Sequence, residues 1–326
     1  MTVETPSHPS AEQRRTLVDR PRRRGDRYFR RGTVIASSTV LLLLGVMVVT
    51  TVLSSRSVFA SQGIGGFLFG MRWVPAEGIF GALPFVYGTL VTAVIAIVVG
   101  VPIAVLIALY LSEIAPRGVA RRVSYLVDLL AAIPSVVYAM WGVFVFVPVV
   151  LKPVQDFLAR YLGWSKVFEG PVFGLSYLSV GLVLSIMIVP IVSAVCREVF
   201  ATVPQAEREA ALAVGATRWE MIRLAVLPRS RSGIIGAVML GLGRALGETI
   251  VAAVLIGSQV DIHASVLQPG YTMAAVIANQ FAEADSSQVR ALLGLSVVLF
   301  VITIAVNVIA RLIVARSSGA IRKVGG

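Results

Sequence analysis

The sequence predicts an all-α polytopic membrane protein with six transmembrane helices and both termini on the cytoplasmic side. Three observations carry that expectation. Of 326 residues, 57% are hydrophobic and 14% charged, with a mean hydropathy of +0.86, whereas a soluble domain is about 45–50% apolar and about 25% charged. The apolar residues gather in runs of about 20 or more, the length that a bilayer core requires. The formal net charge of +12 sits in short segments between those runs, the distribution of the positive-inside rule and not that of a nucleic-acid-binding face.

Residues 1–32 form a polar tail with nine arginines and no apolar run to fold around. They do not read as a signal peptide, because the next apolar segment is of span length and no Ala-x-Ala site follows it. The tail is read as a topogenic flank, with contact to anionic membrane lipid as the other reading. The first span is expected over 33–53. A loop bearing Phe67, Phe69, Trp73 and Phe80 follows, placed at the membrane interface where aromatics collect. The second span is expected over 83–112, then a short loop with Arg117, Arg121 and Arg122, and a third span over 126–150. A loop over 151–173 leads to the fourth span, 175–195, with a kink at Pro190. The fifth span is expected over 233–256, and after a loop to about 287 the sixth runs over 291–314. The expected division is a disordered tail (1–32), a six-helix transmembrane domain (33–315, with a polar loop over 198–230) and a short basic tail (316–326).

With the N-terminus inside, 22 of the 29 lysines and arginines fall in cytoplasmic segments. Six fall outside, and Arg244 lies within a span. The single cysteine, Cys196, permits no internal disulfide or cysteine metal site, and His8 and His263 form no cluster. No Gly-x-x-x-x-Gly-Lys-Ser/Thr loop, His-Glu-x-x-His or Gly-x-Ser-x-Gly is present. The chain is therefore expected to have no enzymatic activity, cofactor or metal of its own.

Between the fourth and fifth spans lies the one long polar-bearing segment, 209–228. Alanine-rich residues up to Val214 favour helix, and Gly215 suits the left-handed conformation that ends it. Thr217 stands three residues before Glu220, the spacing of a capping box, so a second short helix starts at once, with Pro228 expected to stop it. Glu209-Ala210-Ala211, then Gly215, then Leu227-Pro228 resembles the EAA loop of permease subunits of binding-protein-dependent bacterial ABC importers; Ala225 departs from it where the pattern has Ile or Val. The resemblance implies a type I ABC importer permease fold whose elbow docks on a separate ATPase, with Glu209, Ala210, Ala211, Gly215, Thr217, Glu220, Leu227 and Pro228 as the coupling residues.

The fifth span carries Gly243-Arg244-Ala245-Leu246-Gly247-Glu248-Thr249. On one continuous helix Arg244 and Glu248 share a face and can pair. A charge at the bilayer centre costs about 2.5–3.5 kcal/mol on insertion scales, so a retained pair points to use. Neutralisation of one by the other, or a bond from Arg244 to a partner's carbonyl, remains the structural alternative. Gly241, Gly243 and Gly247 permit close approach of a helix or solute, and an arginine fork matches a tetrahedral oxyanion.

This block, with Leu83-Pro84-Phe85-Val86-Tyr87-Gly88-Thr89, Ala132-Ile133-Pro134-Ser135-Val136-Val137-Tyr138 and Pro269-Gly270-Tyr271-Thr272-Met273-Ala274-Ala275, is similar to the PstC-type family of phosphate-importer permeases. The resemblance runs from about Trp73 to the sixth span. It implies ATP-driven import of inorganic phosphate across the bacterial cytoplasmic membrane by alternating access. The implied partners are a PstA-like sister permease, a PstB-like ATPase dimer holding ATP and Mg, and an extracytoplasmic PstS-like phosphate-binding protein. It also implies a substrate path through Arg244, Glu248, Thr249, Ser135 and Tyr138. Ser135 can instead satisfy backbone freed by Pro134, Tyr138 and Trp141 can instead pack on the partner, and Tyr271 and Asp261 either meet the binding protein or belong to a re-entrant segment. A proton-coupled secondary transporter using Glu248, or an ABC permease for sulfate or molybdate, is the alternative.

Overall fold

The computed structural model describes the backbone over 24–322 and side chains over 28–312. Most of the tail expected over 1–32, and residues 323–326, lie outside the described residues. The chain divides into two units, 1–53 and 54–326. In the first, a helix that begins at Arg24 occupies all the described residues; it is α1, Arg24–Gln62, and it closes inside the second unit.

The second unit continues with α2 (Ile64–Phe69) and a two-stranded antiparallel hairpin, β1 (Trp73–Val74) and β2 (Ile79–Phe80), with Trp73 opposite Phe80. Then come α3 (Leu83–Leu109), α4 (Arg117–Ala131), α5 (Ser135–Trp141), α6 (Lys152–Leu162), α7 (Tyr177–Ala201), α8 (Gln205–Ala213), α9 (Arg218–Met221), α10 (Leu227–Gly247), α11 (Ile250–Leu255), α12 (Met273–Gln280) and α13 (Ser286–Arg322). Among the described residues five helical stretches are long and apolar enough to cross a membrane: Tyr28–Gln62, Leu83–Ile114, Ser135–Leu162, Tyr177–Ala201 and Ser286–Leu312.

The core is the packing of α7 along α3 and α10. On α3, Gly88, Thr92, Ala96, Gly100, Ala104 and Ala108 are all buried. Their spacing of four puts them on one face, a stripe of small residues of the kind that lets membrane helices approach closely. Added Cβ atoms show how close: one at Gly100 would stand 2.9 Å from Ile188, and one at Gly181 of α7 would stand 2.5 Å from Ile95.

Several spans differ from the sequence expectation. The third does not begin near 126. Residues 117–131 form a separate amphipathic helix with Val127 its only buried side chain, and Pro134 turns the chain because its ring disfavours helix at the residue before it. That span starts at Ser135 and runs on to Leu162, through residues 151–162 that were expected to be loop. A wide helical turn over Gly142–Leu151 accommodates Pro148 inside it. Likewise α7 continues past Pro190.

Three of the four aromatics after the first span pack inward. Phe67, Trp73 and Phe80 are buried, and only Phe69 is exposed. Trp73 meets Phe80 and Phe85 edge-on at 5.0 Å each and donates to Gln280 Oε1 at 3.1 Å. Tyr271 is buried in the same cluster and accepts from Asn279 Nδ2 at 3.1 Å, so it is not free to meet another protein; Asp261 stays exposed. The loop before α12 is knitted to the start of α7 by Tyr177 N to Gln268 O at 3.3 Å and Leu178 N to Val266 O at 2.9 Å, while the end of α11 receives Ser176 N on Leu255 O at 3.1 Å and is followed by Gly270 N to Ile256 O at 3.0 Å.

Candidate functional site

The elbow has the local structure that its residues dictate. Helix α8 ends at Ala213, and Gly215 takes the left-handed conformation with φ 88°. The capping box is complete: Thr217 Oγ1 accepts from Glu220 N at 3.3 Å, and Glu220 Oε2 accepts from Thr217 N at 2.7 Å and from its hydroxyl at 2.8 Å. These donors hold the Glu220 carboxyl below its usual pKa, the Thr217 backbone N–H contributing most. Leu212, Val214, Trp219 and Leu224 stand exposed, Val214 most of all at 86%. Glu209 and Ala210 are exposed, Ala211, Leu227 and Pro228 half-buried.

Pro228 does not stop the second elbow helix. A wide turn, Ile222–Val226, carries α9 directly into α10, with Pro228 in the first turn of the latter. Opening the hydrogen-bond ladder just before a proline relieves the clash of its ring with an upstream carbonyl. Elbow and span are one continuous helix from Arg218 to Gly247.

A charge cluster fastens the elbow to the bundle, and reading the sequence missed it. Arg208 of α8 donates from Nε to Glu113 Oε2 at 3.2 Å and from Nη2 to Glu113 Oε1 at 2.9 Å. It also donates from Nη1 to Val203 O at 2.6 Å and from Nη2 to Phe200 O at 2.7 Å. Nearby, Arg197 Nη2 meets Asp128 Oδ1 at 2.5 Å, joining α7 to α4. The available signal was Glu113, an acid at the very end of an apolar run. A recess of about 380 Å³ lies beside it, lined by Ser112, Glu113, Gln205, Arg208, Leu212, Arg218 and Met221.

In the fifth span the expected pairing is absent. Helix α10 ends at Gly247, and Glu248 takes an extended conformation (φ −72°, ψ 120°). The break carries the Glu248 side chain off the face that i, i+4 spacing would give it, and among the described residues Arg244 and Glu248 form no salt bridge. Arg244 is half-buried, and its buried Nε has no hydrogen-bond partner. The Tyr138 hydroxyl donates to Leu130 O at 2.9 Å. Helix α5, carrying Ser135 and Tyr138, packs on α11 beyond the break. Thr249 Oγ1 bonds back to Gly247 O at 3.3 Å. The Ser135 hydroxyl makes no hydrogen bond among the described residues, so it does not cap backbone freed by Pro134, and Trp141 stacks on Phe146 at 4.9 Å. The structure thus leaves Glu248 without an ion pair to Arg244 and gives the Tyr138 hydroxyl to Leu130 O.

A helical bundle closed on small residues, with five stretches apolar enough to cross a membrane and an elbow running straight into α10, is the architecture of a multi-pass membrane protein. The chain belongs to the family described as binding-protein-dependent transport system inner membrane component, which its residues 100–323 match. It is similar to the phosphate transport system permease protein PstC of Xylella fastidiosa, 44% identical with 90% of this chain and 92% of that protein covered. It is also similar to PstC of Haemophilus influenzae (40%, 88% and 92% covered) and to PstC 2 of Mycobacterium tuberculosis (40%, 90% and 93%). Among solved structures it resembles the MetNI methionine ABC transporter in inward-facing conformations, with a TM-score of 0.51 at 16% identity over 76% of this chain and 97% of that one. A bacterial ABC transporter involved in import of the acidic polysaccharide alginate gives 0.51 at 20% identity over 86% and 98%. The fold is that of an ABC importer permease, a subunit of the inner membrane that works with an ATPase and other partners.

Proposed function

We propose that this chain is the permease subunit through which an ATP-driven importer moves inorganic phosphate across the cytoplasmic membrane by alternating access. The observation that carries this reading is the similarity of 40–44% over about nine-tenths of the chain to phosphate transport permeases. The interior chemistry supports it: Arg244 is a half-buried guanidinium with an unused donor, and such a fork matches a tetrahedral oxyanion. Arg244 meets the anion, Tyr138, Ser135 and Thr249 line its path, and Glu248 competes for Arg244 so that the anion is released. The broken α10–α11 pair is the remaining span, giving six in all with both termini cytoplasmic and the tails 1–32 and 316–326 flanking the 33–315 permease domain. The 198–230 loop couples to the ATPase through Glu209, Ala210, Ala211, Gly215, Thr217, Glu220, Leu227 and Pro228. This chain holds no cofactor; a PstB-like dimer binds ATP and Mg, a PstA-like permease completes the pathway, and a PstS-like protein delivers phosphate.

The test is uptake of labelled phosphate, against sulfate, in vesicles reconstituted with those partners, with and without ATP. ATP-dependent phosphate uptake, lost in Arg244→Ala while the complex still assembles, is the expected result. Sulfate uptake would discard the anion assignment, and phosphate uptake that ignores ATP and follows a proton gradient would discard the coupling assignment.

A further inference from the structure

Helix α8 buries none of its residues. It joins α7 through three residues, 202–204, and hydrophobic burial alone does not fix its orientation. Arg208 does. Its guanidinium is a rigid planar fork, and here three nitrogens make four bonds to three residues on two pieces of chain. Glu113 belongs to the wide turn Tyr110–Ile114 that ends the α3 span. Phe200 O, which also accepts from Val203 N at 3.2 Å, lies at the C-terminal end of α7 and Val203 O just beyond it, where helical partners run short and a cation is favoured. The site is nearly closed to water, with side-chain exposures of 15% for Arg208 and 5% for Glu113.

We propose that Arg208 is the positioning residue of energy coupling: a joint that delivers displacement of α8 to the ends of α3 and α7 together. This rests on the importer reading above. Because α3 and α7 pack along each other and both touch α10, a stiff joint at their common end moves the surroundings of Arg244 as one body. A bare charge would attract Glu113 but leave α8 free to swivel. A bidentate fork that also caps α7 fixes both angle and distance. Glu113 is accordingly the second half of the joint, and not a residue of the substrate path.

The experiment uses the reconstituted complex with its ATPase and binding protein, carrying wild type, Arg208→Gln, Arg208→Lys or Glu113→Gln. It reads phosphate moved per ATP hydrolysed, with retention of the ATPase on purification and melting temperature alongside. The expected result is that both neutral variants keep the ATPase bound while the ratio falls roughly fivefold or more, the size of a modest coupling free energy. Lysine, which restores the charge without the fork, leaves the ratio low. An unchanged ratio in either neutral variant overturns the proposal, and so does full recovery by lysine. A parallel loss of hydrolysis, uptake and melting temperature at constant ratio overturns it too, since that marks a purely structural bond. Glu113→Gln, which leaves the caps on α7 in place, gives the reading if Arg208→Gln fails to assemble. Absence of ATP-dependent uptake in wild type is a separate outcome: it ends the importer reading itself, and the joint with it.

Discussion

Gly241 of α10 rests on Val192 of α7: a Cβ built on Gly241 would stand 2.8 Å from Val192 Cγ2. That contact sets how closely the arginine-bearing helix approaches the centre of the bundle. At Gly243 an added Cβ meets nothing within 4 Å. Gly241→Ala is therefore expected to cost about 1–3 kcal/mol by overpacking, while Gly243→Ala is neutral or stabilising by up to about 1 kcal/mol. Melting of the purified complex in detergent separates them, and equal shifts would contradict the packing account.

Glu248 carries no ion pair among the described residues, so its charge is not what holds the fold. Glu248→Gln is expected to leave the melting temperature unchanged and to lower both KM and the maximal rate of phosphate uptake, because the competitor that dislodges the anion from Arg244 is gone. A variant with lower melting temperature and unchanged KM would assign Glu248 to structure.

The capping box gives the elbow a defined pH dependence. The folded-state pKa of Glu220 lies below its usual value of 4.5. A depressed carboxylate pKa contributes stability above the unfolded value, and that contribution is lost as pH falls through the folded one. Hydrogen-exchange protection of the segment 217–221 should therefore stay constant from neutral pH down to about 4.5 and drop below it. In Glu220→Gln the acid-induced drop should vanish. A drop already present between neutral and mildly acidic pH would point to another group.

Gln155 is fully buried and bridges α6 to the start of α7. Its Nε2 shares two hydrogens among Ser176 Oγ and Ser179 Oγ at 3.0 Å each and Gly174 O at 3.3 Å, Ser179 Oγ also donates to Gly174 O, and Gln155 Oε1 has no partner. Removing one member of a buried polar cluster costs about 1–3 kcal/mol for each group left unsatisfied. Gln155→Ala should lower stability by at least that much, and a melting temperature equal to wild type would show the cluster to be dispensable.

Local grammar and bulk hydropathy were legible in the sequence, and long-range charge geometry was not. Gly215, Thr217 and Glu220 did what their spacing requires because capping is decided within four residues. The small-residue stripe from Gly88 to Ala108 was equally readable as a period of four, but a uniformly apolar run hides which face is packed. Pro228 misled because a proline stops a helix only if the ladder cannot widen before it, and a wide turn lets this helix continue. The pairing of Arg244 with Glu248 failed because it presumed unbroken helix through Gly247. Arg208 read as one more basic residue of an inner loop; its partner Glu113 lies 95 residues away, a separation at which no local pattern operates.

Because the chain from Arg218 to Gly247 is one uninterrupted helix, the elbow and the arginine sit on a single lever. At 1.5 Å per residue, Arg244 lies roughly 36 Å along the axis from Glu220. A tilt of only about 10° pivoting at the elbow would sweep the arginine sideways by about 6 Å, more than the height of a helical turn. The proline that looked like a full stop is thus the place where the chain forgoes a joint, and a small stroke at the elbow is geometrically enlarged before it reaches Arg244.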